Sequence, residues 1–221
     1  TEAFLGSRLG GSLGNWEFWE SVVHFFVEHS MLDRDHVAPV VDFLQHHTFE
    51  THQVFVPGRG AVTERPPQPG LTMKGRTPNS LLAQVERWHR ALGRSRSARD
   101  LRFRRSRVED WLHTVGRDEQ KCWRIRQLLT GTELIEEGRR MHHCVATYAS
   151  SCARGRCTIW AMELLTAAGT EKRQTVELNE HGAVTECRGK YNRRPTAGEL
   201  EIVRRWARAS GLTVSRYVRA R

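Results

Sequence analysis

The sequence predicts an α+β protein, in which a helical N-terminal region is followed by a small antiparallel sheet of about three strands packed with helices. Apolar residues recur at three- and four-residue steps through residues 16–55, as on one face of a helix. Apolar and polar residues alternate only later, in CTIWAMEL, QTVELNE and AVTECRG, which is typical of strands. The order of helices first and strands later favours α+β over alternating α/β.

Four segments follow from these patterns. Residues 1–56 form a helical N-terminal region, and residues 57–80 form a Pro/Gly-rich linker or extended arm. Residues 81–130 form a basic helical region, with helices expected over 80–92, capped by Ser80, and over 108–129. Residues 131–221 form an α+β domain.

Within residues 131–221, the pattern predicts a turn at Gly138 and a helix from about Met141 to Ala153. Three strands come next, with a hairpin turn at His181–Gly182. The final helix carries Thr196 as its cap and Glu199 three residues later, a capping-box signature. The last residues, LTVSRYVRAR, are expected to add a short strand or a tail.

The charge favours an anionic partner, most often nucleic acid, because the net charge is +10 and the pI is about 10.1. A basic but inert surface is the alternative. No apolar run reaches 18 residues, so we expect no membrane partner. The odd number of cysteines, five, and a start (TEAFLGSRLGG) without a signal-peptide pattern predict reduced thiols and a cytoplasmic location. That start is also compatible with a fragment of a longer protein.

The most basic run, GRSRSARDLRFRRSR, spans residues 93–107 and contains one acid, Asp100. Such runs are often solvated surface, but arginine binds phosphate through two donors at once. We therefore predict phosphate contact here and by two later arginines. The predicted nucleic-acid-binding residues are Arg94, Arg96, Arg99, Arg102, Arg104, Arg105, Arg107, Arg193 and Arg194.

Reactive side chain types concentrate in residues 138–192, and several fit phosphodiester chemistry. His143 fits a general acid or base, and Arg188 with Lys190 fits stabilisation of developing charge. The expectation is that His143 meets Arg188 and Asn192 in a water-accessible pocket. The alternative is a polar turn that only holds the hairpin to the final helix. The candidate catalytic residues are His143, Cys144, Tyr148, Glu177, Arg188, Lys190 and Asn192.

The other members of this set have narrower roles. Glu177 would orient His143 or bind a metal, Asn192 would fix a base or sugar, and Tyr148 would donate a proton or stack on a base. Cys144 near a helix N-terminus would be an acidic thiol, although a small buried core residue is the simpler interpretation. No cofactor is expected. A divalent metal is left open, but the spacing of Cys152 and Cys157 does not support a zinc site.

The stretches ELIEEGRRMHHCVATY, TVEL and ECRGKYNRRPT resemble the PcfJ-like protein family, which occurs on conjugative plasmids, in phages and in bacterial genomes. The family pattern is a glycine, Met or Leu, HCV and a Tyr, then T-x-E, and then RG-x-x-N before a helix ending in Trp. The resemblance covers residues 130–210 and departs at Cys187, where a Gln is expected near Arg188. The matching residues are Gly138, Met141, His143, Cys144, Val145, Tyr148, Gly155, Thr175, Glu177, Arg188, Gly189, Asn192 and Trp206.

The resemblance implies a connection to mobile DNA and does not imply a particular reaction. Our first hypothesis is a nucleic-acid-binding protein of mobile-element or phage-defence type that processes a phosphodiester strand at the His/Arg/Lys/Asn pocket. The alternative is a non-catalytic adaptor, with a protein partner, in a conjugation or defence assembly. A weaker alternative is an enzyme with Cys144 as its nucleophile.

Overall fold

The computed structural model describes residues 15–48, 52–56, 60–94, 96–115 and 121–221. The chain forms two compact units, and the boundary between them falls between Trp88 and His89. In the described residues no helix has both the length and the apolar character needed to cross a bilayer.

In its described residues, the first unit combines three helices with a two-stranded antiparallel hairpin. Buried apolar side chains from all three helices, among them Val22, Leu44 and Leu81, form its core. Helical structure was predicted over residues 16–55 and 80–92, and the structure has helices over residues 16–28, 34–48 and 78–94. The hairpin lies where helix and linker were predicted. The elements are α1 (Trp16–Glu28), α2 (Arg34–Thr48), β1 (His52–Val56), β2 (Gly60–Glu64) and α3 (Pro78–Arg94).

The cap predicted for α3 was wrong by three residues. The helix begins at Pro78, and the backbone N–H of Ser80 donates to the hydroxyl of Thr77. Thr77 is thus the capping residue, followed by a proline in the first helical position, where its missing N–H costs nothing.

The second unit contains a six-stranded sheet in the spatial order β3-β4-β5-β6-β7-β8, antiparallel except for the parallel last pair. The α+β class is confirmed, but the sheet has six strands and not about three. The helices are a short α4 (Arg96–Arg99), α5 (Gly131–Met141), α6 (Ala149–Ala153) and α7 (Ala197–Ala209). The strands are β3 (Trp111–Val115), β4 (Lys121–Gln127), β5 (Cys157–Thr166), β6 (Gly169–Asn179), β7 (Ala183–Arg188) and β8 (Thr213–Val214).

The helix predicted over residues 108–129 was wrong, because this stretch supplies β3 and β4. In β4, Ile125 is fully buried while Arg124 and Arg126 lie on the opposite face. This alternation is the two-residue period of a strand. The spacing of the tryptophans and leucines in this stretch also fits a helix, which led to the wrong prediction.

The helix predicted from Met141 to Ala153 was also wrong. Helix α5 begins ten residues earlier, where the side chains of Thr130 and Glu133 form a capping box. It ends at Met141 and is followed by the capping residue His142, whose φ of 54° is left-handed. Gly138 lies within the helix rather than in a turn. A 3₁₀ helix (Val145–Tyr148) and α6 follow.

The two faces of the sheet differ in chemistry. One face packs on α7 through an apolar cluster in which Trp160 and Trp206 have ring centroids 5.1 Å apart. The other face, beneath α5 and α6, is apolar around Ile159 and Ala161 but also carries buried charges. A β-bulge between β5 and β6 lies beside these charges, since Met162 pairs with Gln174 while the next residue, Glu163, pairs with Lys172.

Candidate functional site

His143 lies at the centre of a buried polar network. Its side chain is 5% exposed, and its Nε2 lies 2.9 Å from the hydroxyl oxygen of Thr175 on β6. The Thr175 hydroxyl donates to Oε1 of Glu137 on α5 at 2.8 Å. Since a hydroxyl donates only one proton, His143 must donate its Nε2–H to Thr175. The imidazole is therefore the Nε2–H tautomer, held between a helix and a strand.

Burial also sets the charge of this imidazole. Desolvation lowers the pKa of His143 to about 4, and the nearby negative charge of Glu186 offsets only part of this effect. His143 is therefore neutral at pH 7. A neutral, buried ring that donates to Thr175 has the properties of a structural histidine.

The network continues from Glu137 into a row of buried ion pairs. The Lys172 ammonium contacts Oε2 of Glu137 and Oε1 of Glu163, each at 2.7 Å. The guanidinium of Arg124 lies 2.6 Å from the other Glu163 oxygen. Burial alone would raise the pKa of Glu163, but Lys172 and Arg124 outweigh it and lower that pKa. Glu137 and Glu163 are 1% and 2% exposed, so each depends on its cations.

The expected water-accessible pocket around His143 is not present, since this side chain is buried. Two other candidates do come together, at Glu186 on β7. The Tyr148 hydroxyl donates to Oε2 of Glu186 at 2.9 Å, and Nε of Arg188 donates to Oε1 at 3.1 Å. Glu177 pairs with Glu186 on the adjacent strand and is half-buried. Glu186, which joins these two side chains, was not among the site residues predicted from the sequence.

Lys190 and Asn192 lie in a short 3₁₀ turn (Lys190–Asn192) after β7, beside the end of α5. The ring of Tyr191 stacks on that of His142, with centroids 4.6 Å apart and planes 29° apart. The Lys190 ammonium lies 5.4 Å from the Tyr191 ring centroid, a cation–π distance. Local desolvation and the Lys190 charge lower the pKa of His142, so this ring is also neutral at pH 7.

The backbone of this region is unusual. Among the described residues, four that are not glycine have positive φ, and three of them are His142, Tyr191 and Asn192. The left-handed conformation costs about 1–2 kcal/mol for an ordinary residue and less for asparagine. Such strain persists only where surrounding contacts hold it, and it is common at functional sites.

Arg193 was predicted to bind nucleic acid, but the structure places it in an internal ion pair. Its guanidinium makes two 2.7 Å contacts with the carboxylate of Glu199, which is 5% exposed. This pairing lowers the pKa of Glu199 to about 2, against a burial effect that would raise it. A Cβ at Gly189 would lie 2.8–2.9 Å from three Arg193 side-chain atoms, so a larger residue there would displace the Arg193 side chain. These contacts join the turn to α7, as the alternative interpretation of the turn expected.

The cysteines are either half-buried or buried. Cys144 is half-buried at the start of the 3₁₀ helix and not at the N-terminus of a long helix. The Sγ atoms of Cys152 and Cys157 are 3.8 Å apart, and both residues are buried. Burial raises the pKa of Cys187 to about 12. Within the described ranges, no group of three or more His, Cys, Asp or Glu residues is arranged to hold a metal ion.

The arginine-rich run is presented on a fixed backbone. Phe103 is buried and donates its N–H to the Leu129 carbonyl, while the Gln127 side chain accepts from the Ser106 N–H and donates to the Arg104 carbonyl. The described arginine side chains of this run are exposed. This anchored basic segment consists of Arg102, Arg104, Arg105 and Arg107.

The remaining predicted arginines have different settings. Arg99 is exposed at the end of α4, and Arg194 is half-buried after the 3₁₀ turn. The side chains of Arg94 and Arg96 lie outside the part of the structure that is described.

The family model for the PcfJ-like protein matches residues 72–203. The chain belongs to the PcfJ-like protein family. No curated protein and no solved structure matches it. The family resemblance noted in the sequence is thus confirmed.

The structure gives several PcfJ-like signature residues a physical role. Gly138 lets the chain fold back at the end of α5, because a Cβ there would lie 2.8 Å from the His143 carbonyl oxygen. Met141 and Trp206 are both buried, and Trp206 belongs to the apolar cluster between the sheet and α7. Sequence reasoning missed Glu137, Lys172 and Glu163, since their pairing depends on contacts between distant parts of the chain. The T-x-x-E spacing at residues 130–133 was the one local signal that could have placed α5 correctly.

Proposed function

We propose that this PcfJ-like protein binds nucleic acid through the anchored basic segment, by contacts to the phosphate backbone. The observation that carries the proposal is the exposure of Arg102, Arg104, Arg105 and Arg107 on a backbone held by buried Phe103 and Gln127. None of the four guanidinium groups makes an ion pair or side-chain hydrogen bond with any residue in the described ranges. Their donors are available for an external anion.

The physical argument is one of preorganisation. A flexible arginine run must lose backbone freedom when it binds, whereas this segment is already ordered by contacts to β4 and to the start of α5. Arginine forms paired hydrogen bonds with phosphate oxygens, and each neutralised phosphate releases counterions. The positive net charge of +10 adds long-range attraction.

The proposal is restricted to binding and does not include strand cleavage. His143 is buried, neutral and committed to Thr175, so it lacks the access to substrate that a general acid or base requires. We assign the His143 network to stabilising the packing of α5 on the sheet.

The test is the salt dependence of binding. Replacing Arg102, Arg104, Arg105 and Arg107 together by Gln should weaken binding to duplex and single-stranded oligonucleotides. It should also reduce the slope of log K against log salt concentration by up to about 3.6 on duplex DNA, at about 0.9 per phosphate contact.

A matched control removes the same charge elsewhere on the same unit, at four exposed arginines near the C-terminal end. Its slope should remain close to that of the parent protein. An equal loss in both variants would mean that net charge and not this segment binds. No binding by the parent protein would favour the adaptor hypothesis. The control positions are Arg204, Arg216, Arg219 and Arg221.

A further inference from the structure

A pair of stacked rings lies at the surface where α5 meets the turn after β7. His142 is exposed and Tyr191 is half-buried, and neither ring belongs to an apolar core cluster of the described residues. Their centroids are 4.6 Å apart, and the planes are inclined by 29°. Most stacked aromatic pairs in proteins are part of a core, so an exposed pair of this kind calls for a different explanation.

The pair is held in place at a conformational cost. Both His142 and Tyr191 have left-handed backbones, with φ of 54° and 56°. His142 is fixed by the end of α5, where its N–H donates to the Gly138 carbonyl. The turn is fixed by the Gly189 N–H, which donates to the Arg193 carbonyl at 2.8 Å. The rings therefore form a rigid platform, with positions set by the fold and not by contact between the rings alone.

The chemistry beside the platform is cationic. The Lys190 ammonium lies 5.4 Å from the Tyr191 ring centroid and is exposed. Flat, neutral rings next to an exposed cation are the elements with which proteins hold unpaired nucleobases, where the ring stacks on the base and the cation contacts the phosphate. A base in a duplex is already stacked on both sides and cannot use such a surface.

We propose that the His142–Tyr191 platform stacks an unpaired nucleobase, with Lys190 contacting the adjoining phosphate, and that it gives this protein a preference for single-stranded nucleic acid. The inference rests on the proposed function for the class of partner, but it depends on different residues from the anchored basic segment. Stacking needs no reading of base edges, so little sequence preference is expected.

The experiment compares a thymidine oligonucleotide with an abasic oligomer of equal length and charge, by fluorescence anisotropy. The parent protein should bind the thymidine strand about tenfold more tightly. His142→Asn and Tyr191→Asn each remove a ring, and asparagine tolerates the left-handed backbone. Both variants should bring the ratio close to one while leaving affinity for the abasic strand unchanged. His181→Asn removes an exposed histidine elsewhere and should keep the ratio.

The outcomes separate the two proposals. The quadruple arginine variant should weaken binding of both oligomers and retain their ratio. Equal affinity of the parent protein for the two oligomers, or an unchanged ratio in His142→Asn, would overturn the stacking proposal alone. Absence of binding to either oligomer would overturn both. If Tyr191→Asn does not fold, as judged by its thermal transition, His142→Asn decides the matter, since its side chain is exposed.

Discussion

Replacing Lys172 by Met is the most direct test of the buried ion-pair row. The ammonium lies 2.7 Å from a carboxylate oxygen of both Glu137 and Glu163, which are 1% and 2% exposed. Methionine has nearly the same length and fills the space without the charge. The change therefore removes the electrostatic partner and little of the packing.

The expected loss is about 3–5 kcal/mol of unfolding free energy at pH 7, the range for leaving a buried charge without its partner. The two glutamates are affected unequally. Glu163 keeps the guanidinium of Arg124 at 2.6 Å, whereas Glu137 keeps only the hydroxyl of Thr175 at 2.8 Å. Most of the loss should arise at Glu137. Adding Glu137→Gln to Lys172→Met removes the isolated charge and should recover most of the stability.

Urea unfolding followed by tryptophan fluorescence, at pH 7 and pH 4, measures these effects. The folded pKa of Glu163 is lowered below its ordinary value of 4.5, so its contribution is present above that pH and is lost as the pH falls below it. The part of the difference between the parent protein and Lys172→Met that arises at Glu163 should therefore shrink as the pH falls from 7 through 4.5 towards the lowered pKa of Glu163.

Lys121→Met is the matched control, since Lys121 is exposed at the start of β4. Its effect should stay within about 0.5 kcal/mol, as for most surface substitutions. If Lys172→Met is no more destabilising than this control at pH 7, the ion-pair row does not stabilise the fold and the reasoning is refuted.

Three further predictions concern other contacts. In thermal unfolding, Gly138→Ala should destabilise the protein by about 1–3 kcal/mol, because the new Cβ would lie 2.8 Å from a carbonyl oxygen. The control Gly198→Ala has no atom within 4 Å of its Cβ and should be neutral or stabilising by up to about 1 kcal/mol. The reverse order of stability would contradict the close approach at Gly138. The pKa of Glu199 is lowered to about 2, so the parent protein should lose of order 2 kcal/mol of unfolding free energy as the pH falls from 4.5 to 2. A Glu199→Gln variant that loses as much stability over this range would disprove the pairing. In alkylation by iodoacetamide followed by mass spectrometry, half-buried Cys144 should react before Cys187, which is buried with its pKa raised to about 12, and simultaneous reaction would show that the fold does not protect Cys187.

The parts of the fold that could be predicted from sequence are those with local signals. The capping box of Thr196 and Glu199 placed the start of α7, and alternation placed most of β5 and β7 and the second half of β6. The strand β4 was missed because Arg124 and Arg126 occupy half-buried positions on one face, where alternation normally predicts apolar residues. Their burial becomes understandable only with Glu163 opposite them, on a strand 39 positions away from Arg124.

The candidate site shows the same limit. His143, Tyr148 and Arg188 were recognised as chemically notable, but the partners that define them are 32, 38 and 2 positions away in sequence. A histidine beside a cysteine and two arginines suggests reactivity in a sequence. Only the fold shows that the Nε2 atom of His143 is hydrogen-bonded to Thr175. It also shows that, of the two adjacent histidines, His142 is the exposed one.

The bulge opposite Met162 and Glu163 determines which way the ammonium of Lys172 points. Side chains in a regular strand alternate, so Lys172 and Gln174 would share one side, and the lysine would face the tryptophan core. The extra residue, Arg173, reverses this parity. Deleting Arg173 would leave Lys172 next to Gln174 and still directed at the two glutamates. Deleting Gln174 would instead place Arg173 opposite Met162 and remove the hydrogen bonds of the Gln174 side chain to Glu199 and Cys187. The β5–β6 hairpin should therefore tolerate deletion of Arg173 better than deletion of Gln174.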